Sequence, residues 1–183
     1  MTDKALIRKI IRESISNLSG SFRESCSEII CNKVISLSEY KNASTISVYL
    51  SFDNEVDTAK IIENAFEENK RVFVPYIDGK IMYMVEIDKD TEYTLNKFGI
   101  QEPVFVQKKI WYGKLDLIIL PLTGFDRKLQ RLGKGGGYYD KFLSENNAVK
   151  AGLAYSVQEI DKLPIDPHDI PLDIVITEKE ILR

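Results

Sequence analysis

The chain has 183 residues, of which 44% are apolar and 29% charged, and its net charge is −3 at neutral pH. This length and composition favour one globular domain over residues 1–183. The acidic balance argues against a nucleic-acid or membrane-surface binder, and no apolar run reaches the length of a membrane span.

Two helices are predicted first in chain order. Residues 3–18 carry apolar side chains at helical spacing, namely Leu6, Ile7, Ile10, Ile11, Ile15 and Leu18. Residues 21–24 have the form of a capping box, which predicts a second helix from there to about Tyr40. Its apolar face would hold Cys26 together with Phe22, Ile29, Ile30, Val34 and Leu37. Cys26 is therefore expected in the core, and two cysteines with one histidine supply no zinc cluster. The simplest interpretation is a reducing, cytoplasmic setting.

From Thr45 the apolar period changes from 3.6 to 2, which predicts a strand over 45–50. A helix beginning at 57–58 and a strand over 71–75 complete a βαβ unit, whose two strands should be parallel. Weaker strands are predicted at 81–87 and 103–106, around a loop at 94–99. Firmer strands follow at 115–120, 150–154 and 174–177. The predicted fold is therefore α/β, a three-layer sandwich with a mostly parallel central sheet flanked by helices.

Polar and aromatic residues follow four of these strands. Glu55 follows the first strand, Tyr76 the second, a glycine-rich run the strand at 115–120, and Tyr155 the strand at 150–154. Ligands of open parallel sheets bind outside the carboxyl ends of the strands. If the four strands are mutually parallel, these groups share one edge of the sheet, and we expect the site there.

The glycine-rich run, residues 131–140, reads RLGKGGGYYD and holds four glycines within five positions. Glycine lets the backbone approach a phosphate closely, and free amides at a helix start favour negative charge. The run is neither a Walker A loop nor a GxGxxG motif. The alternative is a tight turn whose cations are solvated.

This run and the preceding residues 121–126 (PLTGFD) resemble the 5-formyltetrahydrofolate cyclo-ligase family. The resemblance extends along nearly the whole chain, through Lys4, Arg8, 49–58, 74–75, 98–103, 168–169 and 173–178. One departure is Leu129, where family members usually carry glycine, and we expect it to affect the turn before Arg131.

The resemblance implies an ATP- and Mg²⁺-dependent ring closure. The formyl oxygen of 5-formyltetrahydrofolate attacks the γ-phosphate of ATP, N10 traps the resulting iminium phosphate, and phosphate departs. The products are 5,10-methenyltetrahydrofolate, ADP and phosphate. Such an enzyme must align two substrates and neutralise phosphate charge.

The family motifs also imply site residues. Those for ATP are Lys4, Arg8, Arg131, Leu132, Gly133, Lys134, Gly135, Gly136, Gly137, Tyr138 and Tyr139, with Lys134 and Arg131 as the catalytic pair. Those for the folate are Leu50, Glu55, Lys134, Gly135, Gly136, Gly137 and Tyr138. Those for Mg²⁺ are Asp140 and Asp173. Without the resemblance, Lys4 and Arg8 fit a solvated helix face, Glu55 a surface loop, and Asp140 an ordinary first-turn acid.

Asp173 raises a geometric question, because it precedes its strand. A metal role beside Asp140 predicts that the strand at 174–177 is antiparallel to its neighbours, and a parallel strand would count against that role.

Tyr83, Trp111 and Tyr155 are candidates to stack on the folate rings, although aromatic residues belong more often to the core. His168 lies in a turn-rich segment and is expected to have a structural role. A non-catalytic folate- or nucleotide-binding protein and a small-molecule kinase are the other function classes. We expect a monomer or weak homodimer that binds neither nucleic acid nor membrane, and a folate substrate with or without a polyglutamate tail.

Overall fold

The computed structural model describes residues 3–96, 99–104 and 109–183. Its helices are α1 (Lys4–Ser16), α2 (Gly20–Ser36), α3 (Ser38–Asn42), α4 (Ala59–Glu67) and α5 (Tyr138–Ser144), with a 3-10 turn at Ser156–Gln158. Its strands are β1 (Thr45–Val48), β2 (Arg71–Asp78), β3 (Ile81–Ile87), β4 (Tyr93–Leu95), β5 (Gln101–Pro103), β6 (Ile110–Trp111), β7 (Leu117–Pro121), β8 (Gly124–Phe125), β9 (Arg131–Leu132), β10 (Val149–Leu153), β11 (Ile174–Ile176) and β12 (Ile181–Leu182).

Eight strands form one sheet in the order β12-β11-β10-β7-β1-β2-β3-β6. Neighbours from β11 to β2 pair in parallel, whereas β3, β6 and β12 pair antiparallel at the two margins. The mostly parallel sheet is therefore confirmed, and so is the parallel pairing within the βαβ unit.

Alternate residues of the central strands supply two cores, because successive side chains of a strand point to opposite faces. Leu117 and Ile119 belong to a core that includes buried residues of α1, α2, α3 and α4. Ile118 and Leu120 belong to a second core, which includes Leu143 of α5. Helices thus cover both faces of the sheet, and the predicted three-layer α/β architecture is confirmed.

The helices differ from the sequence prediction in their limits and faces. Ser19, not Ser21, caps α2, since its hydroxyl accepts a hydrogen bond from the Phe22 amide. The second helix also ends at Ser36, and a short α3 follows. Leu6, Ile10, Phe22 and Ile29 are exposed rather than buried, because only a narrow stripe of each helix faces the sheet.

Short strands account for most of the other differences. The predicted loop at 94–99 overlaps β4, which pairs with β5 in a small hairpin. Of the predicted strand 103–106, only Pro103 lies in a strand, and residues 105–106 lie outside the described part of the chain. β4 and β5 have three residues each, which is too short for a clear periodic pattern in the sequence.

A second small hairpin, β8–β9, follows β7, and its second strand is the start of the glycine-rich run. The Asp126 carboxylate holds its turn by accepting hydrogen bonds from the amides of Lys128, Gln130 and Leu163. Leu129, where a glycine was expected, has φ of 61°, in the left-handed region that glycine adopts freely. The turn therefore has a backbone conformation that suits glycine, although it carries a leucine side chain.

The direction of β11 differs from the sequence prediction. β11 pairs with β10 in parallel, with Ala151 opposite Ile174, so the predicted antiparallel strand is wrong. Asp173 consequently lies at the amino edge of the sheet, where its carboxylate accepts a hydrogen bond from the Lys150 amide at 2.8 Å. This position counts against Asp173 as a metal ligand, because the glycine-rich run follows the opposite edge.

Among the described residues, no helix combines the length and the apolar character needed to cross a bilayer.

A substitution at Gly152 can test how tightly the second core is packed. An added Cβ would lie 2.5 Å from Leu172 Cδ1 and 2.7 Å from Leu122 Cδ2. We expect Gly152→Ala to lower the free energy of unfolding by about 1–3 kcal/mol through overpacking. Gly20→Ala is the matched control, since no atom lies within 4 Å of its added Cβ. Denaturant titration should leave the control at or above wild type, and equal midpoints for both variants would contradict the packing argument.

Candidate active site

A cavity of about 400 Å³ opens beside the carboxyl ends of β1, β7 and β10. Its walls come from α1, from the turn after β1, from the segment after β7 and from the glycine-rich run. The lining residues are Arg12, Ile15, Ser16, Tyr49, Phe52, Asp53, Asn54, Glu55, Val56, Pro121, Leu122, Thr123, Lys134, Leu153 and Gln158. This volume lies within the range typical of small-molecule sites.

Hydrogen bonds hold the turn after β1, residues 50–57, in place. The buried hydroxyl of Tyr49 donates to the Val56 carbonyl at 2.8 Å. The hydroxyl of Tyr155 donates to the Glu55 carbonyl at 3.1 Å, which ties the turn to the segment after β10. The Phe52 amide donates to Glu55 Oε2 at 2.9 Å. These contacts fix Glu55 at the cavity wall, with its side chain only 14% exposed.

Lys134 and Glu55 meet across the cavity. Lys134 Nζ lies 2.6 Å from Glu55 Oε1, and the lysine side chain is 55% exposed. The structure therefore joins the glycine-rich run to the turn after β1, as the shared-edge argument predicted. The exposed lysine can be solvated when it leaves this pair, whereas the largely buried Glu55 carboxylate then needs a hydrogen-bond donor from a ligand.

The glycines of the run, within residues 133–137, follow β9 rather than β7 directly. Gly135 and Gly137 have φ of 106° and 68°, a conformation that strains other residues. Arg8 on α1 contacts this run, since its Nε donates to the Gly133 carbonyl at 2.8 Å. Gly135 and Gly136 are exposed, so their backbone is open to a ligand.

Arg131 is buried, with its side chain 3% exposed, and its Nη2 lies 2.5 Å from Asp140 Oδ1. A Cβ on Gly133 would lie 2.9 Å from Arg131 Nη1, so the run packs directly on this guanidinium. Arg131 Nε is buried without a hydrogen-bond partner among the described residues. In this conformation Arg131 therefore holds Asp140 and the run in place, and it does not reach the cavity as a phosphate ligand would.

Lys4 does not join Arg8 at the glycine-rich run. Its Nζ lies 2.7 Å from Asp166 Oδ2 and 2.5 Å from Asp169 Oδ2. Desolvation opposes the charge on Lys4, but the hydrogen bonds to both carboxylates outweigh it and raise the pKa of Lys4. Desolvation likewise acts to raise the pKa of Asp169, but the Asp166 amide and Lys4 hold that pKa below its ordinary value. His168 is exposed beside this pair.

The remaining predicted site residues lie around these elements. Leu132 is buried in β9, and Leu50 is half-buried and packs against the first core. Tyr138 donates its hydroxyl to the Gly79 carbonyl at 3.2 Å, in the turn between β2 and β3. Desolvation, together with the negative charge of Glu55, raises the pKa of Tyr139 above its ordinary value.

The aromatic candidates for ring stacking lie elsewhere. Tyr155 is 1% exposed and belongs to the core. Trp111 stacks on Phe73 with ring centroids 5.2 Å apart, and with Tyr83 it lines a separate groove next to α5. Tyr76 pairs with Tyr83 between β2 and β3 and is absent from the cavity lining.

Phe52, Gln158 and Arg12 are among the cavity residues that the sequence prediction missed. Phe52 is half-buried in the turn after β1 and presents an aromatic side chain there. Gln158 donates to the Leu122 and Thr123 carbonyls at 2.9 and 3.0 Å, which holds the segment after β7. Arg12 lies one helical turn after Arg8, so the spacing of Lys4, Arg8 and Arg12 was a signal available in the sequence.

Comparison with known proteins identifies relatives along the whole chain. Residues 1–178 match the model of the 5-formyltetrahydrofolate cyclo-ligase family. A probable 5-formyltetrahydrofolate cyclo-ligase of Schizosaccharomyces pombe is 34% identical, covering 98% of this chain and 97% of that protein. The 5-formyltetrahydrofolate cyclo-ligase of Haemophilus influenzae is 33% identical, covering 93% of this chain and 95% of that protein.

Solved structures that are similar to this chain include two 5,10-methenyltetrahydrofolate synthetases. The solution structure of Aquifex aeolicus 5,10-methenyltetrahydrofolate synthetase superposes with a TM-score of 0.87 at 31% identity, covering 98% of this chain and 92% of that one. A Mycoplasma pneumoniae 5,10-methenyltetrahydrofolate synthetase superposes with a TM-score of 0.75 at 27% identity, covering 97% and 99% of the two chains.

The Arg131–Asp140 pair generates a prediction about stability. We expect Asp140→Asn to lower the free energy of unfolding by about 3 kcal/mol, because it leaves a buried guanidinium without its counter-charge. Glu86→Gln is the control, since Glu86 pairs with Arg71 while both side chains are at least 36% exposed. That change should cost less than about 1 kcal/mol. Equal losses in denaturant titrations of the two variants would refute the structural role of the buried pair.

Proposed function

The chain belongs to the 5-formyltetrahydrofolate cyclo-ligase family, and we propose that it converts 5-formyltetrahydrofolate to 5,10-methenyltetrahydrofolate with ATP as co-substrate. One observation carries the assignment of this reaction to the cavity. Lys134 of the glycine-rich run lies 2.6 Å from Glu55 of the turn after β1. A phosphate-binding run and a folate-binding acid must adjoin if the γ-phosphate is to pass directly to the formyl oxygen.

The reaction needs two events at the formyl group. The formyl oxygen attacks the γ-phosphorus and ADP leaves, which turns the oxygen into part of a phosphate leaving group. N10 then attacks the formyl carbon and gives up its proton, the carbon–oxygen bond breaks, and phosphate departs with that oxygen. Because charge spreads over the phosphoryl oxygens during transfer, positive charge fixed nearby stabilises the transition state.

The residues of this chain divide that work. Glu55 accepts hydrogen bonds from the amino group and ring nitrogens of the pterin, and Phe52 offers an aromatic face beside it. The exposed backbone of Gly135 and Gly136 approaches the polyphosphate, and Lys134 supplies the positive charge. Once the pterin occupies Glu55, Lys134 loses its partner and is free to bind the γ-phosphate. Arg131 acts through Asp140 and the run, as a positioning residue.

The donor set supports a magnesium ion at Asp140. Its Oδ1 is held by Arg131, and its Oδ2 has no hydrogen-bond partner among the described residues. Mg²⁺ is often bound by one or two carboxylates together with phosphate oxygens and waters, so a second protein carboxylate at Asp173 is not required. The ion would neutralise part of the polyphosphate charge when bound. Arg131 and the start of α5 hold the Asp140 carboxylate beside the run.

The wild-type protein decides between the function classes. It should be mixed with 5-formyltetrahydrofolate, ATP and Mg²⁺, with the methenyl absorbance and ADP recorded together. The cyclo-ligase reaction releases one ADP for each methenyl product. ADP release without ring closure would identify a kinase, and binding without either product would identify a non-catalytic protein. A cytoplasmic location, the monomeric or weakly dimeric state, and the lack of nucleic-acid and membrane binding stay predictions.

Lys134→Ala tests the proposed division of work. We expect kcat/KM for ATP to fall by about tenfold or more, because the variant loses a charge that acts on the transferring phosphate. Lys141→Ala, an exposed lysine of the neighbouring α5, controls for the loss of one positive charge and should retain wild-type kinetics. A change confined to the KM for the folate would assign Lys134 to that substrate instead.

A further inference from the structure

Arg12 is a cation that lines the cavity, and the proposed reaction assigns it no role. It lies on α1 about 6 Å further along the helix axis than Arg8, which already contacts the glycine-rich run. Arg12 lines the cavity and is exposed, whereas Ile15, one turn later, is 8% exposed. The guanidinium therefore lies at the solvent side of the cavity, above an apolar wall.

The other cations of α1 are engaged within the protein. Lys4 is held by two carboxylates, Arg8 donates to the Gly133 carbonyl, and Lys9 lies 4.0 Å from Glu13. Arg12 has no hydrogen bond or ion pair from its side chain to any residue in the described ranges. A free guanidinium at a cavity mouth is available to an anionic ligand, which it can bind through two parallel hydrogen bonds.

The charges of the cavity limit where that anion lies. Four charged residues line it, and two of these, Lys134 and Glu55, neutralise each other. Asp53, the other remaining charge, belongs to the turn after β1, whereas Arg12 belongs to the helix wall. The cavity thus presents carboxylates on the turn and one unpaired guanidinium on the helix.

The proposed substrate has a matching polarity, and the inference rests on that proposed function. A reduced folate carries hydrogen-bond donors on its pterin and two carboxylates on its glutamate. We propose that Arg12 binds a glutamate carboxylate of the substrate and determines specificity for folates that carry this group. The pterin enters toward the enclosed Glu55, and the charged glutamate stays at the exposed mouth, where its carboxylates keep most of their hydration.

The test compares two substrates that differ only at this end, 5-formyltetrahydrofolate and 5-formyltetrahydropteroate, which lacks the glutamate. Arg12→Ala should lower kcat/KM about tenfold for the first substrate, mainly through KM, and leave the second unchanged. Lys9→Ala removes a neighbouring charge outside the cavity and should behave as wild type with both substrates. Arg12→Lys should recover part of the loss, since lysine keeps the charge without the planar fork.

Calorimetric binding of the same two compounds gives a readout that does not depend on turnover. The dissociation constant of the glutamyl compound should rise about tenfold in Arg12→Ala, while that of the pteroate should not change. Equal effects on both compounds, no effect on either, or an increase confined to the KM for ATP would each overturn the assignment. Binding without product from the wild-type protein would defeat the proposed reaction, and the assignment of Arg12 would still be decided by the two dissociation constants.

Discussion

Parallel pairing of β1, β7 and β10 decides where the functional groups of this protein lie. Because the three strands run in one direction, the turn after β1, the hairpin after β7 and the segment after β10 all leave the same edge of the sheet. At the opposite edge of the sheet, carboxylates hold the starts of strands. There Asp116 and Asp173 accept hydrogen bonds from the amides of Thr45 and Lys150, which fixes the starts of β1 and β10.

Two ion pairs of the site differ in burial, and therefore in how easily their partners can separate. Arg131 is almost completely buried, so separating it from Asp140 would leave an unpaired charge in a medium that solvates it poorly. This pair is suited to holding the glycine-rich run in one conformation. Lys134 is more than half exposed, so water can replace Glu55 at low cost. The second pair is suited to exchange, as the proposed release of Lys134 to the phosphates requires.

Local sequence signals predicted the elements that repeat a periodic pattern. The bounds of β3 were predicted without error, and the mostly parallel sheet followed from alternating strand and helix patterns. Predictions were wrong where a contact between distant segments decided the outcome. Nothing local to Asp173 indicates that β11 runs parallel to β10, and nothing local to Tyr155 indicates that its hydroxyl lies beneath Glu55. Phe52 was missed for a similar reason, because the walls of the cavity come from segments that are distant in the sequence.

The sequence by itself determined the α/β class, the glycine-rich run and its resemblance to one family, because these depend on residue type and spacing along the chain. Tertiary structure alone decided the partners of the charged groups. Lys4 lies against Asp166 and Asp169, Arg131 against Asp140, and Arg12 against solvent at the cavity mouth. A charged residue can pair with any opposite charge that comes near it, so the sequence does not show which partner it will have. The folded backbone decides which opposite charge lies within a few ångströms.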